Sequence, residues 1–371
     1  MPPKLILEHY TIYEDEYEAD ELRIRRMKSI MVGETVEEKE ELKKIIRSIL
    51  EGGHMRNHPF INRAAWKLAE IDVHFNFFGE EYFPPYYKGE SAIRVYDVCG
   101  APGGFSQYVL WRYPNAKVSG TSLLESGGNE AFVWSPLVSN NSRFRQIDGN
   151  KGGDVIADVN FFASQKERYT HIVSDGEISH VATDEHFRKA LRMRLITAEV
   201  YIALSLLEDG GKFCFKIFNP NVPQSNLPAL SVLLLDCFDS VQTFKPYMSR
   251  LDSYESYVIC RGYHRSNFVK YKKLFTQYFR ETSMGRYLYM KDVSSSSEGE
   301  EGDEREREER EREGISDRYV ALAESNIRNL IRLLRPYRNL PPTKYIEAVK
   351  RDYPIDYLRH TRLRRSWKVF E

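Results

Sequence analysis

Short apolar runs alternate with longer amphipathic ones between residues 54 and 263 of this 371-residue chain. Six runs rich in β-branched and aromatic residues predict strands: IRVYDVC, AKVSGTSL, THIVSD, KFCFKIF, VQTFKP and SYVICRGY. Strands that alternate with helices form βαβ units, which build a parallel sheet with helices on both faces. The last two runs lie close together in sequence, which favours an antiparallel edge. The pattern therefore predicts an α/β fold of the Rossmann-like kind.

The regions on either side of these runs have a different texture. Residues 1–53 are charged and carry apolar positions at helical spacing, as in TVEEKEELKKIIRSIL, which predicts a helical N-terminal appendage. The α/β domain is predicted to cover residues 54–265, and a connecting segment residues 266–293. The Ser-, Gly- and Glu-rich residues 294–314 indicate an acidic disordered linker, with a solvated charged helix as the alternative. Residues 315–371 are predicted to form a helical, basic C-terminal region.

Charge is unevenly distributed, although the formal net charge of the whole chain is zero. Residues 298–313 hold ten acidic and four basic side chains, a balance of −6, so the remainder carries +6. A modestly basic body suits an anionic partner such as nucleic acid, and plain solubility is the alternative. The C-terminal stretch YLRHTRLRRSWKVFE is either a contact for RNA phosphates or a solvated tail packed through its aromatic residues.

Cysteine usage and apolar run length restrict the compartment. The four cysteines form no CxxC pair and no Cys/His cluster with zinc spacing, so no metal site is predicted. Because they sit in apolar runs, we expect buried thiols in a reducing compartment. The first twenty residues turn acidic too soon for a signal peptide, and no apolar run reaches the roughly 20 residues that span a bilayer. We therefore expect an intracellular protein that is not secreted.

A glycine cluster interrupts the chain in VYDVCGAPGGFSQYVLWR, between a β-branched run and an amphipathic one. Gly100, Gly103 and Gly104 are typical of a strand-to-helix turn that lets the backbone approach a ligand, although a simple tight turn is the alternative. Pro102 lacks a backbone donor, which argues against a pyrophosphate ligand and favours S-adenosylmethionine, whose methionine part carries no phosphate. Asp97 either orients the amine of that ligand or caps the loop.

Two lysines and two carboxylates stand near predicted strand ends, where α/β sites form. Asp175 ends THIVSD, Lys216 lies in KFCFKIF, Glu255 precedes the last strand, and Lys67 lies in NRAAWKLAEID on a predicted helix. A lysine between apolar neighbours in a core strand needs a reason, whereas the other three have ordinary alternatives as surface charges or a loop cap. Methylation of a ribose 2′-hydroxyl needs such groups, because the hydroxyl must be positioned and must lose its proton. We expect burial and a second cation to lower the pKa of the lysine that takes it.

Five motifs in order carry a family resemblance: INRAAWKL, YDVCGAPGGFSQYVLWR, IVSDGE, GGKFCFKIF and FKPYMSRLDSYESYVICRGY. Over residues 59–263 the chain resembles the FtsJ-like ribose 2′-O-methyltransferases, most of all those that act on the first transcribed nucleotide of capped mRNA. The resemblance implies an S-adenosylmethionine-dependent methyltransferase fold, S-adenosyl-L-methionine as cofactor, and conversion of cap 0 to cap 1 in mRNA capping. The alternatives are a 2′-O-methyltransferase of ribosomal or transfer RNA, and a catalytically silent RNA-binding subunit with the same fold.

The resemblance also implies roles for individual residues. Lys67, Asp175, Lys216 and Glu255 form its catalytic tetrad, in which Lys216 takes the proton. Asp175 holds and tunes that lysine, and Lys67 and Glu255 orient the 2′-hydroxyl. The expected cofactor-binding residues, Asp97 included, are Asn62, Asp97, Cys99, Gly100, Ala101, Pro102, Gly103, Gly104, Phe105, Asp154 and Val155.

Some contacts stay open at this stage. Asp148 competes with Asp154 for the contact with adenosine, and Glu125 comes late for a ribose contact after the second strand. Substrate RNA is expected at Lys245, Ser249 and Arg250. No short motif carries the cap pocket, beyond the segment near residues 56–58.

The implied partners are capped mRNA and other capping enzymes or RNA polymerase, without a membrane. The implied place is the nucleus for a cellular source, and the host cytoplasm or nucleus for a viral one.

Overall fold

The computed structural model describes residues 5–9, 60–79, 93–123, 133–178, 185–218, 226–246, 249, 255–284 and 288–292. The strands are β1 (Leu5–His9), β2 (Arg94–Val98), β3 (Lys117–Thr121), β4 (Phe144–Gln146), β5 (Tyr169–Ser174), β6 (Leu207–Ile217), β7 (Phe238–Phe244), β8 (Ser256–Tyr263) and β9 (Leu288–Asp292). The helices are α1 (Arg63–Phe75), α2 (Gly104–Arg112), α3 (Pro136–Ser139), α4 (Val159–Ala163), α5 (Glu185–Leu206), α6 (Leu227–Cys237), α7 (Arg265–Phe268) and α8 (Lys272–Ser283). Among these helices, none has both the length and the apolar character that a bilayer span requires.

All six predicted runs form strands of one mixed sheet, in the order β4-β3-β2-β5-β6-β8-β7. The sheet also includes β4, which the hydrophobic pattern does not predict because its three residues are half-buried or exposed. The predicted helix that carries Lys67 is present as α1. The expected α/β class, with helices on both faces of the sheet, is therefore confirmed.

Strand direction decides which chain ends meet at one edge of the sheet. Strands β4, β3, β2, β5 and β6 pair in parallel. The expected antiparallel pairing of the last two strands is confirmed, but β8 also inserts between β6 and β7 and pairs with both in the antiparallel sense. The first residues of β8 therefore lie beside the carboxyl ends of β5 and β6, where ligands bind in open α/β sheets.

The hydrophobic core forms two layers, one on each face of the sheet. Val95 and Val173 belong to the layer under α1 and α2, whereas their neighbours Tyr96 and Ile172 belong to the layer under α5 and α6. This division follows from the period-two alternation of side chains along a strand. The four cysteines are unpaired; three of them are buried, as expected from the sequence, whereas Cys99 is half-buried.

Asp72 ties α1, which carries Lys67, to α2. One of its carboxylate oxygens accepts a hydrogen bond from the Tyr108 hydroxyl at 2.7 Å and from the Tyr113 hydroxyl, and the other accepts from the Phe78 N–H at 3.0 Å. Burial raises the pKa of this carboxyl, and the three donors oppose that rise. The contact holds the helix that carries Lys67 against the helix that follows the glycine turn.

The same core continues beyond residue 265 into the predicted connecting segment. Phe275, Tyr278 and Phe279 of α8 pack in the layer under α5, together with Leu288 and Met290 of β9. Fully burying side chains of this kind contributes about 1.5–3 kcal/mol each.

At the N-terminal end of the chain, β1 corrects one prediction. Residues Leu5–His9 form a strand paired with β9, so the helical interpretation is wrong for these five residues. Their partner lies about 290 residues later in the chain, and no local pattern announces such a pairing. The remainder of the N-terminal appendage, the acidic linker and the C-terminal region lie outside the described residues.

Candidate active site

The glycine turn connects β2 to α2 at the carboxyl edge of the sheet. Its residues are Cys99, Gly100, Ala101, Pro102, Gly103, Gly104 and Phe105. Cys99 has a φ of 60° and Gly103, which caps α2, has a φ of 103°, a conformation that side chains with a Cβ rarely adopt. The Gly100 N–H donates to the Thr121 carbonyl at 3.0 Å, which ties the turn to the end of β3.

Asp97 lies fully buried directly under this turn. Its Oδ2 accepts hydrogen bonds from the Ser106 N–H at 3.0 Å and the Ser106 hydroxyl at 2.6 Å, so it caps the first turn of α2. A Cβ placed on Gly100 would lie 2.4 Å from the Asp97 Cγ. The Oδ1 atom is buried and has no hydrogen-bond partner among the described residues, and burial raises the pKa of the carboxyl to about 7. Asp97 therefore caps the helix and keeps one oxygen for another donor.

Asn62 lies against the same turn from α1. It caps that helix, with its Oδ1 accepting from the Ala64 N–H at 3.0 Å. A Cβ placed on Gly104 would lie 2.1 Å from the same oxygen, so the Asn62 side chain covers the first residue of α2. The structure thus brings this predicted cofactor residue to the glycine turn.

The segment with Asp154 and Val155 packs beside the end of β3. A Cβ placed on Gly153 would lie 1.8 Å from the Ser122 carbonyl oxygen. Asp154 Oδ1 accepts from two backbone N–H groups of its own turn at 2.9 and 3.0 Å, and Val155 is buried. Asp148 follows β4 and is exposed, with its Oδ1 accepting from the Gln146 amide at 2.6 Å. Both carboxylates lie near this edge, and the choice between them stays a prediction.

Two lysines and two carboxylates meet beside α1 and the ends of β5, β6 and β8. Lys216 Nζ lies 3.0 Å from Asp175 Oδ1 and donates to the Asp175 carbonyl at 2.8 Å. Lys67 Nζ lies 2.7 Å from Glu255 Oε1 and 4.0 Å from Asp175 Oδ2. None of the four side chains is more than 18% exposed. The structure therefore brings together all four residues predicted as the tetrad.

Tyr257 joins the two ion pairs and was missed by the sequence reasoning. It is fully buried, its hydroxyl donates to Asp175 Oδ1 at 2.7 Å, and the hydroxyl oxygen accepts from Lys67 Nζ at 3.3 Å. It lies opposite Lys216 in the β6–β8 pairing. Strand alternation was the available signal, because residues two apart on β8 share a face and Glu255 lies two positions earlier.

The electrostatics of Lys216 correct one expectation. Burial alone would lower its pKa, but the carboxylates of Asp175, Glu255 and Glu177 outweigh burial and raise the pKa above its ordinary value. For Asp175, burial would raise the pKa, but Lys216 and Lys67 together with the Tyr257 hydroxyl lower it. The expectation that the pKa of Lys216 is lowered is therefore wrong for the protein without a ligand, because three carboxylates surround the ammonium group.

Lys245 and Ser249 also contact this cluster, although they were expected to face RNA phosphates. Lys245 Nζ donates to the Glu255 carbonyl at 2.8 Å. Ser249 is buried and its hydroxyl donates to Glu255 Oε1 at 2.7 Å. Both residues thus orient Glu255, and Arg250 lies outside the described residues.

Replacing Tyr257 by phenylalanine is expected to lower kcat by about tenfold if the cluster is catalytic, because one hydrogen bond to a charged group contributes about 1.5–3 kcal/mol. The ring and its packing remain, so only this hydrogen bond is lost, and the midpoint of thermal unfolding should fall by several degrees in the variant. The measurement is the initial rate of the proposed reaction against a Tyr263→Phe control, since Tyr263 is equally buried on the same strand and its hydroxyl donates to the Leu204 carbonyl. Equal rates for the Tyr257 variant and the wild type would remove Tyr257 from the site.

The arrangement combines a basic and an acidic pair with an adjacent turn whose backbone a ligand can approach. Charged groups held 2.7–4.0 Å apart are positioned to orient a hydroxyl group and to exchange a proton with it. The turn, Asp97 and Asn62 form a surface on which a second ligand could lie beside these groups. Such a site suits group transfer to a hydroxyl.

Comparison with known proteins supports the family resemblance seen in the sequence. The family model for FtsJ-like methyltransferases matches residues 60–263, more than half of the chain. Proteins named cap-specific mRNA (nucleoside-2′-O-)-methyltransferase 1 from Homo sapiens and Danio rerio are 33% identical over 222 and 229 residues. The matches cover 55% and 56% of this chain but 26% and 27% of those proteins, so the chain spans about a quarter of the relatives that it matches.

Among solved structures, the chain is similar to one from Plasmodium falciparum named "a ribosomal RNA methyltransferase, putative". The two sequences are 21% identical, and the alignment covers 54% of this chain and 97% of the other with a TM-score of 0.37.

Proposed function

The chain belongs to the FtsJ-like methyltransferase family, and on that premise we propose that it methylates the ribose 2′-hydroxyl of RNA. The observation that supports this most is the cluster of Lys67, Asp175, Lys216 and Glu255 beside the glycine turn. A 2′-hydroxyl is a very weak acid, so a protein that methylates it must fix the oxygen in place and assist loss of its proton. Lysines paired with carboxylates in a buried site supply both requirements.

S-adenosylmethionine, the cofactor of FtsJ-like methyltransferases, supplies an electrophilic methyl group on a sulfonium. The residues that would hold it are those of the turn 99–105 together with Asn62, Asp97, Asp154 and Val155. The fit rests on two observations, namely that Gly100 leaves no room for a Cβ beside the Asp97 carboxyl and that the buried Asp97 Oδ1 has no hydrogen-bond partner among the described residues. The methionine part of this cofactor carries no phosphate. The missing backbone donor of Pro102, at the centre of the turn, is therefore compatible with binding it.

In this proposal Lys216 is the residue that accepts the hydroxyl proton. Because its pKa is raised in the protein by itself, Lys216 must lose its own proton before it can act as a base. Asp175 holds the Lys216 amine with its carboxylate and its carbonyl, and Tyr257 keeps that carboxylate in place. Lys67 and Glu255 orient the ribose, with Lys245 and Ser249 fixing Glu255.

For the substrate we propose capped mRNA, with methylation of its first transcribed nucleotide. The support is the name of the relatives from Homo sapiens and Danio rerio, which describes cap-specific mRNA 2′-O-methylation. The motifs INRAAWKL and YDVCGAPGGFSQYVLWR lie in the described, matched region. Such an enzyme would act in the compartment in which transcripts receive their cap.

A competition between capped and uncapped RNA tests this substrate. The chain is given equal amounts of two short RNAs of one sequence, one with a methylated guanosine cap and one with a 5′-triphosphate, with labelled S-adenosylmethionine. We expect at least about tenfold more methyl transfer to the capped RNA, a difference of roughly 1.4 kcal/mol. Mapping of the product should place the methyl group on the first transcribed nucleotide.

Two outcomes would contradict the proposal in different ways. Equal methylation of both RNAs, or preferential methylation of a transfer or ribosomal RNA fragment, would overturn the cap assignment and leave 2′-O-methylation standing. Tight binding of RNA without methyl transfer to any of them would instead favour a silent RNA-binding subunit.

A further inference from the structure

Glu199 is a buried carboxylic acid that the proposed mechanism does not use. It lies on α5 and is 1% exposed. Its Oε1 atom has no hydrogen-bond partner among the described residues. A buried carboxyl oxygen without a hydrogen-bond partner costs folding free energy. We therefore expect Glu199 to be protonated or to lie close to a ligand.

The position of Glu199 links it to the proposed cofactor site. A Cβ placed on Gly176 would lie 2.1 Å from Glu199 Oε1 and 3.2 Å from the Cys99 Cβ. Gly176 follows Asp175 at the end of β5, and Cys99 opens the glycine turn at the end of β2. The Glu199 carboxyl therefore fills the space behind two adjacent turns, on strands that pair directly with each other.

The groups that face Glu199 leave it without a dedicated cation. They are the Cys99 thiol from the glycine turn, Ser174 at the end of β5, Asp175 directly after it, and Lys216 on β6. Lys216 is engaged by the carboxylate and the carbonyl of Asp175. Burial is the main cause that raises the pKa of Glu199 to about 7, with Ser174, Lys216 and Cys99 opposing the rise and Asp175 adding to it.

A second carboxyl with the same properties lies under the same turn. Asp97 is fully buried, also keeps one bare oxygen, and has a pKa raised to about 7, chiefly by burial. Its other oxygen is occupied by Ser106. Two protonatable carboxyls thus underlie the place where the methionine part of the cofactor would lie, and that part carries a positively charged α-ammonium group.

We propose that Glu199 is a proton-linked counter-charge for this α-ammonium group. When the ammonium group binds over the turns at Cys99 and Gly176, Glu199 gives its proton to solvent and becomes a carboxylate. The step balances, since one proton leaves the protein and one positive charge enters the site. The physical cause is that a nearby cation favours the charged form of a buried acid. The inference rests on the proposed function, because it takes S-adenosylmethionine as the ligand.

Calorimetry of ligand binding tests the linkage without catalysis. S-adenosylmethionine and S-adenosylhomocysteine, which share the ammonium group, are titrated into the full chain at pH 6.5 in two buffers of different ionisation enthalpy. A group with a pKa near 7 is about three-quarters protonated at that pH, so we expect Glu199 to contribute roughly 0.75 released proton for either ligand. The dissociation constant should fall by up to roughly eightfold between pH 6 and 7.5 from this group.

A variant assigns the released proton. Glu199→Gln should release fewer protons than the wild type by at least about half a proton, whereas Glu167→Gln, at an exposed position before β5, should release as many as the wild type. Glu199→Asp should keep the release and serves as the second variant if the Gln variant does not fold. Asp97 accounts for release that remains in Glu199→Gln.

Three outcomes would overturn the inference. They are binding of either ligand to the wild type with no proton release, release by Glu199→Gln equal to that of the wild type, and release with S-adenosylmethionine but not with S-adenosylhomocysteine. Failure of the proposed function looks different, because the wild type would then bind neither ligand at any pH in the range.

Discussion

Replacing Lys216 by methionine is expected to reduce methyl transfer to RNA by about 10²–10⁴-fold, the usual contribution of a positioned general base. Methionine keeps much of the length and apolar volume of lysine, so the 6% exposed site stays filled. Removing the ammonium group leaves the glycine turn and Asn62 untouched. Single-turnover rates with saturating S-adenosylmethionine, and the dissociation constant of S-adenosylhomocysteine, measure the two effects separately.

Lys212→Met is the matched control for this experiment. Lys212 lies four residues earlier on β6, and its amine donates to the Asn76 carbonyl at 3.1 Å, away from the cluster. We expect the control to retain nearly the wild-type rate. A Lys216→Met protein that methylates RNA at the rate of the control would remove Lys216 from the role of base.

Asp175→Asn is expected to cost about 3 kcal/mol of folding free energy as well as most of the activity. The change keeps the shape of the side chain but removes the charge that Lys216 and Lys67 face. Breaking a buried ion pair from one side leaves an uncompensated charge, which is why the loss is large. Urea unfolding and single-turnover rates on the same samples report the two losses.

A double variant separates stability from catalysis. Asp175→Asn with Lys216→Met removes both charges, so we expect most of the lost folding free energy to return while activity stays lost. Because the pKa of Asp175 is lowered in the folded protein, its stabilising contribution is present above the ordinary carboxyl pKa of about 4 and is lost as the pH falls below it. The gap in unfolding free energy between wild type and Asp175→Asn should therefore narrow in acid. A gap that widens in acid, or a double variant as unstable as the single one, would contradict this account.

The fold is predictable from the sequence where each strand carries its own apolar run. The parallel strands β2, β3, β5 and β6 are such runs, and so are β7 and β8. The short β4 is invisible because it forms only through its pairing with β3. The insertion of β8 between β6 and β7 cannot be predicted from local pattern either, because it depends on the order in which strands pair across the sheet.

The sequence predicts which residues form the site better than it predicts the pKa shifts of those residues. Lys216 was identifiable as a lysine within a core strand, and Asp175 as the carboxylate at a strand end. The sign of the Lys216 pKa shift was wrong, because it depends on how many carboxylates the fold gathers around one amine. Glu199 was missed because a glutamate inside a long helix has no distinct local pattern, whereas strand alternation, which places Tyr257 on the same face as Glu255, was a usable signal for Tyr257.

The pairing of β1 with β9 has a consequence in time. Contacts between residues about 290 positions apart form slowly and late in folding, because the chain must first lose the conformational entropy of closing a long loop. At a synthesis rate of about 5–20 residues per second, Leu5 waits roughly 15–60 s before Asp292 exists. Strand β8, the last strand of the seven-stranded sheet in the chain, ends at Tyr263, so all seven strands have been synthesised only about 1.5–6 s before Asp292. We expect the two-stranded ladder to close after these strands have begun to pair. A ladder that forms last in this way is also expected to open before the sheet.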